Sequence, residues 1–201
     1  MENFVKLPEP ILRGKYSLEE ILKRRKSVRK FTDKLLTLRE ISQILWATQG
    51  LRDEEGFRTA PSAGALYPLE VYLLSAKVEN LEPGLYRYVP RDHKLAFELR
   101  GDLRKDLWRA ALEQDCILEA PATVIISAIF ERTTRKYGDR GIRYVFLDAG
   151  HAAQNLYLEA TALDLGTVAV GAFYDEEVKR VLHLREKETP IYLMPVGKPE
   201  R

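Results

Sequence analysis

The sequence lacks most of the residue patterns that identify the commonest kinds of active site. It has one cysteine, Cys116, so no internal disulfide can form, and its three histidines, His93, His151 and His183, do not have the spacing of metal ligands. It also has no Gly-x-Ser-x-Gly or Walker sequence. These absences exclude a disulfide-stapled scaffold and argue against a metal site, serine hydrolysis and P-loop phosphoryl transfer.

Neither sign of charge is in excess. The chain has 32 Lys and Arg residues against 30 Asp and Glu residues, a formal net charge of +2, so it has no strong overall attraction to nucleic acid or to a membrane surface. It also lacks a run of about 18 apolar residues that could span a bilayer, and Met1–Lys6 has no apolar signal segment. We therefore expect a cytoplasmic protein that binds neither nucleic acid nor membranes.

The chain is long enough to bury a core, since it has 201 residues of which 45% are hydrophobic, and we expect a single domain over residues 1–201. Capping boxes at Ser17–Glu20 and Thr37–Glu40 predict two helix starts, and the apolar run Val124–Phe130 predicts a central strand covered on both faces. The other predicted elements are a strand at 70–75, a hairpin over 85–99, a helix over 102–113, a polar loop at 136–140, a long helix over about 143–165, and strands at 167–173 and 190–196. Because a hairpin interrupts the alternation and no Gly-x-Gly-x-x-Gly follows the first strand, a layered α+β fold is favoured over a dinucleotide-binding fold.

Two segments have the composition of a binding site. Thr59–Pro68 places small residues and backbone donors where a flat polar ligand could approach closely, and Lys23–Phe31 combines arginine forks with the hydroxyl of Ser27, which suits a phosphate monoester. Each segment also has a plainer interpretation. The first is typical of an irregular connection, and the second of a solvated helix end or, more weakly, of a nucleic-acid patch. Together they suggest a phosphorylated, planar ligand.

A series of short motifs runs through nearly the whole chain: Leu7-Pro8, Ser17–Glu20, Arg24–Phe31, Leu45–Gly50, Pro61–Pro68, Lys136–Arg140, Arg143-Tyr144 and Asp148–His151. In content and order, this series resembles the flavin-dependent nitroreductase superfamily and, within it, the SagB-type dehydrogenase branch. The chain departs from the wider family at four positions: Ala65, Tyr67 and Leu69 stand where common nitroreductases have Asn, Gln and Trp, and Val170 stands where many have Glu.

The resemblance implies a three-layer α+β fold, with a mixed, mostly antiparallel central sheet flanked by helices, in an intertwined homodimer that binds FMN at the subunit interface. By the same resemblance, the residues that would reach the FMN phosphate are Arg25, Ser27, Arg29, Lys198 and Arg201. The residues that would line the flavin from the other subunit are Pro61, Ser62, Ala63, Gly64 and Leu66. The segment expected to direct a backbone amide at the flavin ring consists of Val170, Gly171 and Ala172.

The resemblance also implies an oxidoreductase that transfers hydride or electrons through FMN. We expect electrons to pass from NADH or NADPH to a quinone, a nitro compound or a similar small-molecule acceptor. An alternative is the branch's oxidation of thiazoline or oxazoline rings in a modified peptide within a maturation complex, for which Lys136 and Tyr137 match the pair associated with proton removal. A third possibility is a non-catalytic module that binds flavin or a partner.

Overall fold

The computed structural model describes residues 4–200. Its strands are β1 (Phe4–Lys6), β2 (Leu69–Ser75), β3 (Gly84–Val89), β4 (Lys94–Arg100), β5 (Ala122–Ala128), β6 (Gly166–Thr167) and β7 (Thr189–Gly197). Its helices are α1 (Leu18–Arg24), α2 (Leu38–Gln49), α3 (Arg104–Ala110), α4 (Asp115–Glu119), α5 (Glu131–Tyr137), α6 (Arg140–Ala162) and α7 (Asp175–Val181). Within residues 4–200, no helix is both long enough and apolar enough to cross a membrane.

One seven-stranded sheet, in the order β1-β4-β3-β2-β5-β7-β6, organises the structure. The strand pairs are antiparallel, and parallel pairing occurs in isolated bridges such as that of Ser27 with Thr167. β5 lies between β2 and β7, and each of its residues is buried, as predicted for a strand covered on both faces. The predicted α+β fold with a mostly antiparallel sheet is therefore confirmed.

The sheet has a hydrophobic core on each face because side chains alternate along its strands. Val71 and Leu73 of β2 belong to the core that includes residues of α2 and α6. Tyr72 and Leu74, between them, belong to the core formed with α3, α4 and α7. The result is the predicted three-layer arrangement, in which α6 lies along the sheet face that also carries α2.

Both predicted capping boxes are present, and they fix where α1 and α2 begin. Ser17 Oγ accepts a hydrogen bond from the Glu20 amide at 3.2 Å, and the Ser17 amide donates to Glu20 Oε2 at 2.9 Å. Thr37 and Glu40 make the same reciprocal pair at 3.1 Å and 2.7 Å. Each box satisfies backbone donors that a helix start would otherwise leave unpaired.

After α1, the chain runs along the sheet edge as an extended segment, Arg25–Phe31, which we call the cationic segment. The Val28 amide donates to the Thr167 carbonyl at 2.8 Å, and Phe31 forms a bridge with Pro199. These backbone contacts position the arginines predicted to bind phosphate beside the start of the 166–172 segment.

The segment after α6 forms only part of the strand that the sequence predicts over 167–173. The pairing of β6 with β7 covers Gly166 and Thr167. The Ala169 amide then donates to the Tyr157 hydroxyl at 2.7 Å. The chain pairs with β7 again at Val170, which exchanges two backbone hydrogen bonds with Leu193 at 2.9 Å and 3.0 Å. The predicted strand is therefore present in part, as β6 and this isolated bridge, and no pairing with β7 is seen for the described residues 171–173.

The polar loop predicted over 136–140 is confined to Gly138 and Asp139, and the prediction is wrong for Lys136, Tyr137 and Arg140, which are helical. Lys136 and Tyr137 form the last turn of α5, and two residues then lead into α6. α5 has no apolar stripe of its own, but it packs closely on α6, since a Cβ placed on Gly141 would lie 2.9 Å from the Thr134 Cα. Tertiary packing therefore stabilises α5, although its own sequence has no pattern that predicts a helix.

We predict that Gly166→Ala destabilises the fold by pushing the cationic segment away from the sheet. A Cβ on Gly166 would lie 2.7 Å from Cβ and Cγ1 of Val28, and overpacking of this kind costs about 1–3 kcal/mol of unfolding free energy. Urea unfolding followed by circular dichroism measures the loss. Gly14→Ala is the matched control, because a Cβ there would meet the Tyr16 carbonyl at 3.9 Å and should change stability by less than about 0.5 kcal/mol. Equal effects of the two substitutions would contradict the prediction.

Candidate functional site

The small-residue loop, Pro61–Pro68, is fastened to α6 by a buried carboxylate. Asp148 is 4% exposed, and it accepts hydrogen bonds from Ser62 Oγ at 2.7 Å and from the Ala63 amide at 3.3 Å. Ser62 Oγ in turn accepts from the Tyr67 amide at 3.0 Å. The Ser62 hydroxyl therefore closes the loop on itself and joins it to α6.

The tip of this loop lies against the two residues predicted to be catalytic. Gly64 has φ +63°, and a Cβ there would lie 2.7 Å from the Tyr137 hydroxyl and 3.0 Å from Lys136 Nζ. Glycine is needed at this position both for its left-handed backbone and for the close approach of α5. Lys136, Tyr137 and the small-residue loop thus form one cluster.

α5 is held beside the loop by contacts near both of its ends. Near its start, Arg132 donates to the Tyr67 carbonyl at 3.1 Å. At its end, the Tyr137 ring meets the Tyr144 ring of α6 edge-on, with centroids 5.1 Å apart, and Lys136 Nζ lies 5.4 Å from the Tyr137 ring centre. Lys136 is exposed, so its ammonium group is accessible to a ligand.

Arg25 and Ser27 of the cationic segment converge on Tyr157 of α6. Ser27 Oγ lies 3.1 Å from the Tyr157 hydroxyl, the same oxygen that accepts the Ala169 amide. The Arg25 guanidinium lies 5.2 Å from the centre of the Tyr157 ring. Tyr157 therefore contacts the Arg25 guanidinium, the Ser27 hydroxyl and the backbone that leads into residues 170–172.

The cationic segment contains two arginines, Arg25 and Arg29, that lie four residues apart. Within the described range, 4–200, neither Arg25 nor Arg29 takes part in an ion pair, whereas Arg24 pairs with Asp164 at 2.5 Å. Arg29 is exposed. An uncompensated guanidinium next to a hydroxyl has the donor set for a phosphate group.

Lys198 lies beside Glu40 and lines a cavity. With Lys26 and Val28 it lines a cavity of about 730 Å³, and its Nζ lies 3.8 Å from the Glu40 carboxylate. The structure thus does not bring Lys198 into contact with Arg25 or Ser27, and its part in phosphate binding stays a prediction. Arg201, the other late basic residue predicted there, lies outside the described residues.

One backbone amide of the 170–172 segment is already paired within the sheet. The Val170 amide already donates to the Leu193 carbonyl at 2.9 Å. Gly171 and Ala172 are exposed, and a Cβ on Gly171 would meet the Tyr192 ring at an ordinary 3.7 Å. An amide directed at a ligand from this segment would therefore come from Gly171 or Ala172.

The two clusters lie at different positions along α6. Asp148 and Tyr157 are nine residues apart in the sequence, which is roughly 13 Å along a helix axis. Among residues 4–200, no hydrogen bond or ion pair joins the small-residue loop to the cationic segment. We call the two clusters the loop half-site and the cationic half-site.

Burial dominates the electrostatics of Asp148. Loss of water raises the pKa of this carboxyl above its ordinary value, while the hydrogen bonds from Ser62 and Ala63 and the proximity of His151 lower it by less. In the part of the chain that the structure describes, no group of three or more His, Cys, Asp or Glu side chains is arranged to hold a metal ion.

Three residues that organise the half-sites were missed from the sequence: Asp148, Tyr157 and Arg132. Asp148 belongs to a quoted motif, Asp148–His151, but nothing local in the sequence identifies the small-residue loop as its partner. Tyr157 and Arg132 belong to no quoted motif, and no local pattern distinguishes them from other helix residues.

A model of the nitroreductase family matches residues 22–198 of the chain. The chain belongs to the nitroreductase family. The matched range contains both half-sites, and the family assignment that the motifs suggested is confirmed.

This nitroreductase-family chain is 52% identical over 181 residues to a nitroreductase-like protein of Methanocaldococcus jannaschii, a match that covers 90% of each chain. The crystal structure of a nitroreductase-like protein of Ralstonia eutropha covers 100% of this chain and 91% of its own, with a TM-score of 0.87 and 30% identity. A chain of the Escherichia coli microcin synthetase McbBCD complex, solved with truncated pro-MccB17 bound, matches 96% of this chain and 79% of its own, with a TM-score of 0.78 and 26% identity. This last likeness agrees with the branch that the motifs suggested.

Asp148→Asn should reveal the cost of burying the carboxylate through the pH dependence of stability. The folded protein keeps this proton at pH values where the unfolded chain has lost it, so ionisation of Asp148 opposes folding. Relative to the variant, the unfolding free energy of the wild type should fall as pH rises from 3.8 towards the raised pKa, and then level off. Urea unfolding at a series of pH values measures both free energies. A wild type that became more stable relative to Asp148→Asn as pH rose would contradict the prediction.

Proposed function

We propose that the protein is an FMN-dependent oxidoreductase, a single domain over residues 1–201 that takes electrons from NADH or NADPH and passes them to a quinone, nitro compound or similar acceptor. The observation that carries this proposal is the convergence of Arg25 and Ser27 on Tyr157 beside the Ala169 amide. A guanidinium fork and a hydroxyl suit the phosphate monoester of FMN. We propose that Arg29 also binds the phosphate, since its side chain is exposed and forms no ion pair among residues 4–200.

The loop half-site fits the flat ring system of such a cofactor. Its candidate contact residues have small side chains at their centre, Ser62, Ala63 and Gly64, so a planar group can approach the backbone closely. Pro61 and Leu66 stand on either side of them. FMN, when bound, supplies the hydride chemistry, and the chain's own residues hold the phosphate, offer an amide from Gly171 or Ala172 and leave a ring face open.

We further propose that a second copy of the chain completes the site. The family resemblance assigns the phosphate contacts to one subunit and the ring contacts to the other, and no hydrogen bond or ion pair among residues 4–200 joins the two half-sites. The apolar side chains Ile142, Phe146 and Leu147 of α6 are exposed in the single chain, which supports an interface on that helix.

The first experiment is an absorbance spectrum of the freshly purified protein, followed by heat release of any chromophore and its identification by mass. Anaerobic addition of NADH or NADPH then tests the reaction. Bound FMN that is bleached by a nicotinamide supports the general reductase. FMN that neither nicotinamide reduces favours the alternative below, and a protein that neither contains nor binds FMN is the non-catalytic module.

We predict that Arg25→Gln weakens FMN binding because it removes a charge-assisted hydrogen bond to the phosphate. Such bonds contribute roughly 1.5–3 kcal/mol, so the dissociation constant should rise about 10- to 150-fold. Fluorescence titration of apoprotein with FMN measures it. Lys23→Gln is the matched control, since Lys23 is an exposed cation on α1 outside the cluster. Equal affinities of Arg25→Gln and wild type would remove Arg25 from the phosphate site.

A second candidate function is the oxidation of thiazoline or oxazoline rings in a modified peptide, within a maturation complex. Two observations favour it: Lys136 Nζ and the Tyr137 hydroxyl lie against Gly64 of the loop half-site, and the chain resembles part of a synthetase complex solved with a truncated precursor bound. In this reaction, Lys136 and Tyr137 would receive the proton that the substrate loses.

Lys136→Ala and Tyr137→Phe distinguish the two candidates. If the pair removes a proton, turnover of an azoline-containing peptide should fall about 100-fold or more in either variant. Flavin content should stay close to wild type, because the proposed phosphate contacts at the cationic half-site are kept in both variants. Arg135→Ala, an exposed cation on the same helix, is the control. Unchanged azoline turnover in both variants would exclude this role.

A further inference from the structure

A second cavity, of about 520 Å³, opens beside the small-residue loop and shares Tyr67 with it, and its other lining residues belong to neither half-site. Its walls include the apolar residues Leu51, Val89 and Pro90 and the charged residues Arg58, Arg91 and Glu54. Pockets for small molecules have this composition, in which an apolar lining surrounds a few polar groups that fix orientation. The charged groups therefore determine which ligand the cavity accepts.

Arg58 is a half-buried cation without a counter-ion. Its Nη1 donates to Gln49 Oε1 at 2.8 Å and approaches the Leu69 carbonyl at 3.5 Å, and both acceptors are neutral. No carboxylate among residues 4–200 forms an ion pair with Arg58, and the nearby carboxylate of Glu70 is paired with Arg132 at 2.5 Å. A guanidinium has five donors in a fork, so Arg58 keeps donors for a ligand.

The environment of Arg58 disfavours the charged form of its guanidinium. Burial lowers the pKa of the Arg58 guanidinium, the positive charge of Arg132 adds to this effect, and Glu70 offsets part of it. Burying a charge without a partner is costly. An anion in the cavity would supply the missing partner, and Arg91, which is exposed and in no ion pair in the described range, would add a second cation.

Arg58 also links the cavity to the loop half-site. Its backbone amide donates to the Tyr67 hydroxyl at 3.1 Å, and its guanidinium lies 4.8 Å from the centre of the Tyr67 ring. Tyr67 also lines the cavity, and its own amide closes the small-residue loop through Ser62. A ligand held by Arg58 would therefore lie immediately beside the residues proposed to contact the flavin.

We propose that this cavity binds the carboxylate or phosphate group of the small molecule that exchanges electrons at the loop half-site. Arg58 and Arg91 hold the anion, and Leu51, Val89 and Pro90 contact the apolar part next to it. The assignment of an electron-exchange role rests on the proposed function, whereas anion binding follows from the cavity itself. Glu54 lies on the same wall with the opposite charge, so it weakens the binding of any anion.

Isothermal titration calorimetry with two probes tests the proposal on the purified protein in the presence of excess FMN. Inorganic pyrophosphate represents the diphosphate of a nicotinamide dinucleotide, and benzoate represents an aromatic acceptor with a carboxylate. We expect at least one probe to bind. Arg58→Gln should raise its dissociation constant about tenfold or more, because a charge-assisted hydrogen bond is lost, and Arg91→Gln should raise it about threefold, as for an exposed charge.

Glu54→Gln should tighten binding, a result that loss of structure cannot mimic. Arg52→Gln is the matched control, since Arg52 is an arginine of the same connection that pairs with Asp53 at 2.8 Å and does not line the cavity. If the wild type binds pyrophosphate more tightly than benzoate, the ligand of the cavity is the electron donor. If it binds benzoate more tightly than pyrophosphate, the ligand is an acidic acceptor.

The proposal is overturned if neither probe gives heat at millimolar concentration, or if Arg91→Gln and Glu54→Gln leave the dissociation constants of both probes unchanged. Because calorimetry detects anion binding directly, it gives a result whether or not the protein binds FMN. A protein that fails to bind FMN but still binds a probe through Arg58 would disprove the proposed function and leave the anion site in place.

Discussion

The buried hydrogen bond between Asp148 and Ser62 is the interaction on which the loop half-site depends. It joins a carboxylate with almost no access to water to the hydroxyl that closes the small-residue loop. In a low-dielectric setting such a bond is strong, and its partners would be costly to leave unpaired. The left-handed backbone at Gly64, Ala65 and Tyr67 persists because this contact over-determines the loop.

α6 fixes the relation between the two half-sites. Asp148 binds the small-residue loop through Ser62, and Tyr157, nine residues further along the helix, contacts the cationic segment through Ser27. A helix of 23 residues packed against the sheet does not change the distance between its own turns. The chain therefore holds the loop half-site and the cationic half-site at a fixed separation along α6.

The departures from the common nitroreductase pattern have structural reasons. Tyr67, in place of Gln, provides a ring for the Arg58 guanidinium and a hydroxyl for the Arg58 amide. Val170, in place of Glu, is buried and bridges to Leu193. These substitutions do not remove the half-sites. In this chain, Tyr67 stabilises the small-residue loop and lines the neighbouring cavity, and Val170 stabilises the sheet edge.

Features that depend on neighbouring residues could be predicted before the fold was known. The capping boxes at Ser17 and Thr37, the buried run that became β5, and the order of motifs that identified the family are all local signals. Tertiary structure decided the rest, because the decisive contacts join distant positions: Ser62 and Asp148 are 86 residues apart, and Ser27 and Tyr157 are 130 apart. The same reason explains the two departures from prediction: α5 exists through its packing on α6, and the predicted strand is interrupted between Thr167 and Val170, where the Tyr157 hydroxyl accepts the Ala169 amide. A periodic pattern shows which face of a helix is buried, but only the fold determines which donor or acceptor that face will meet.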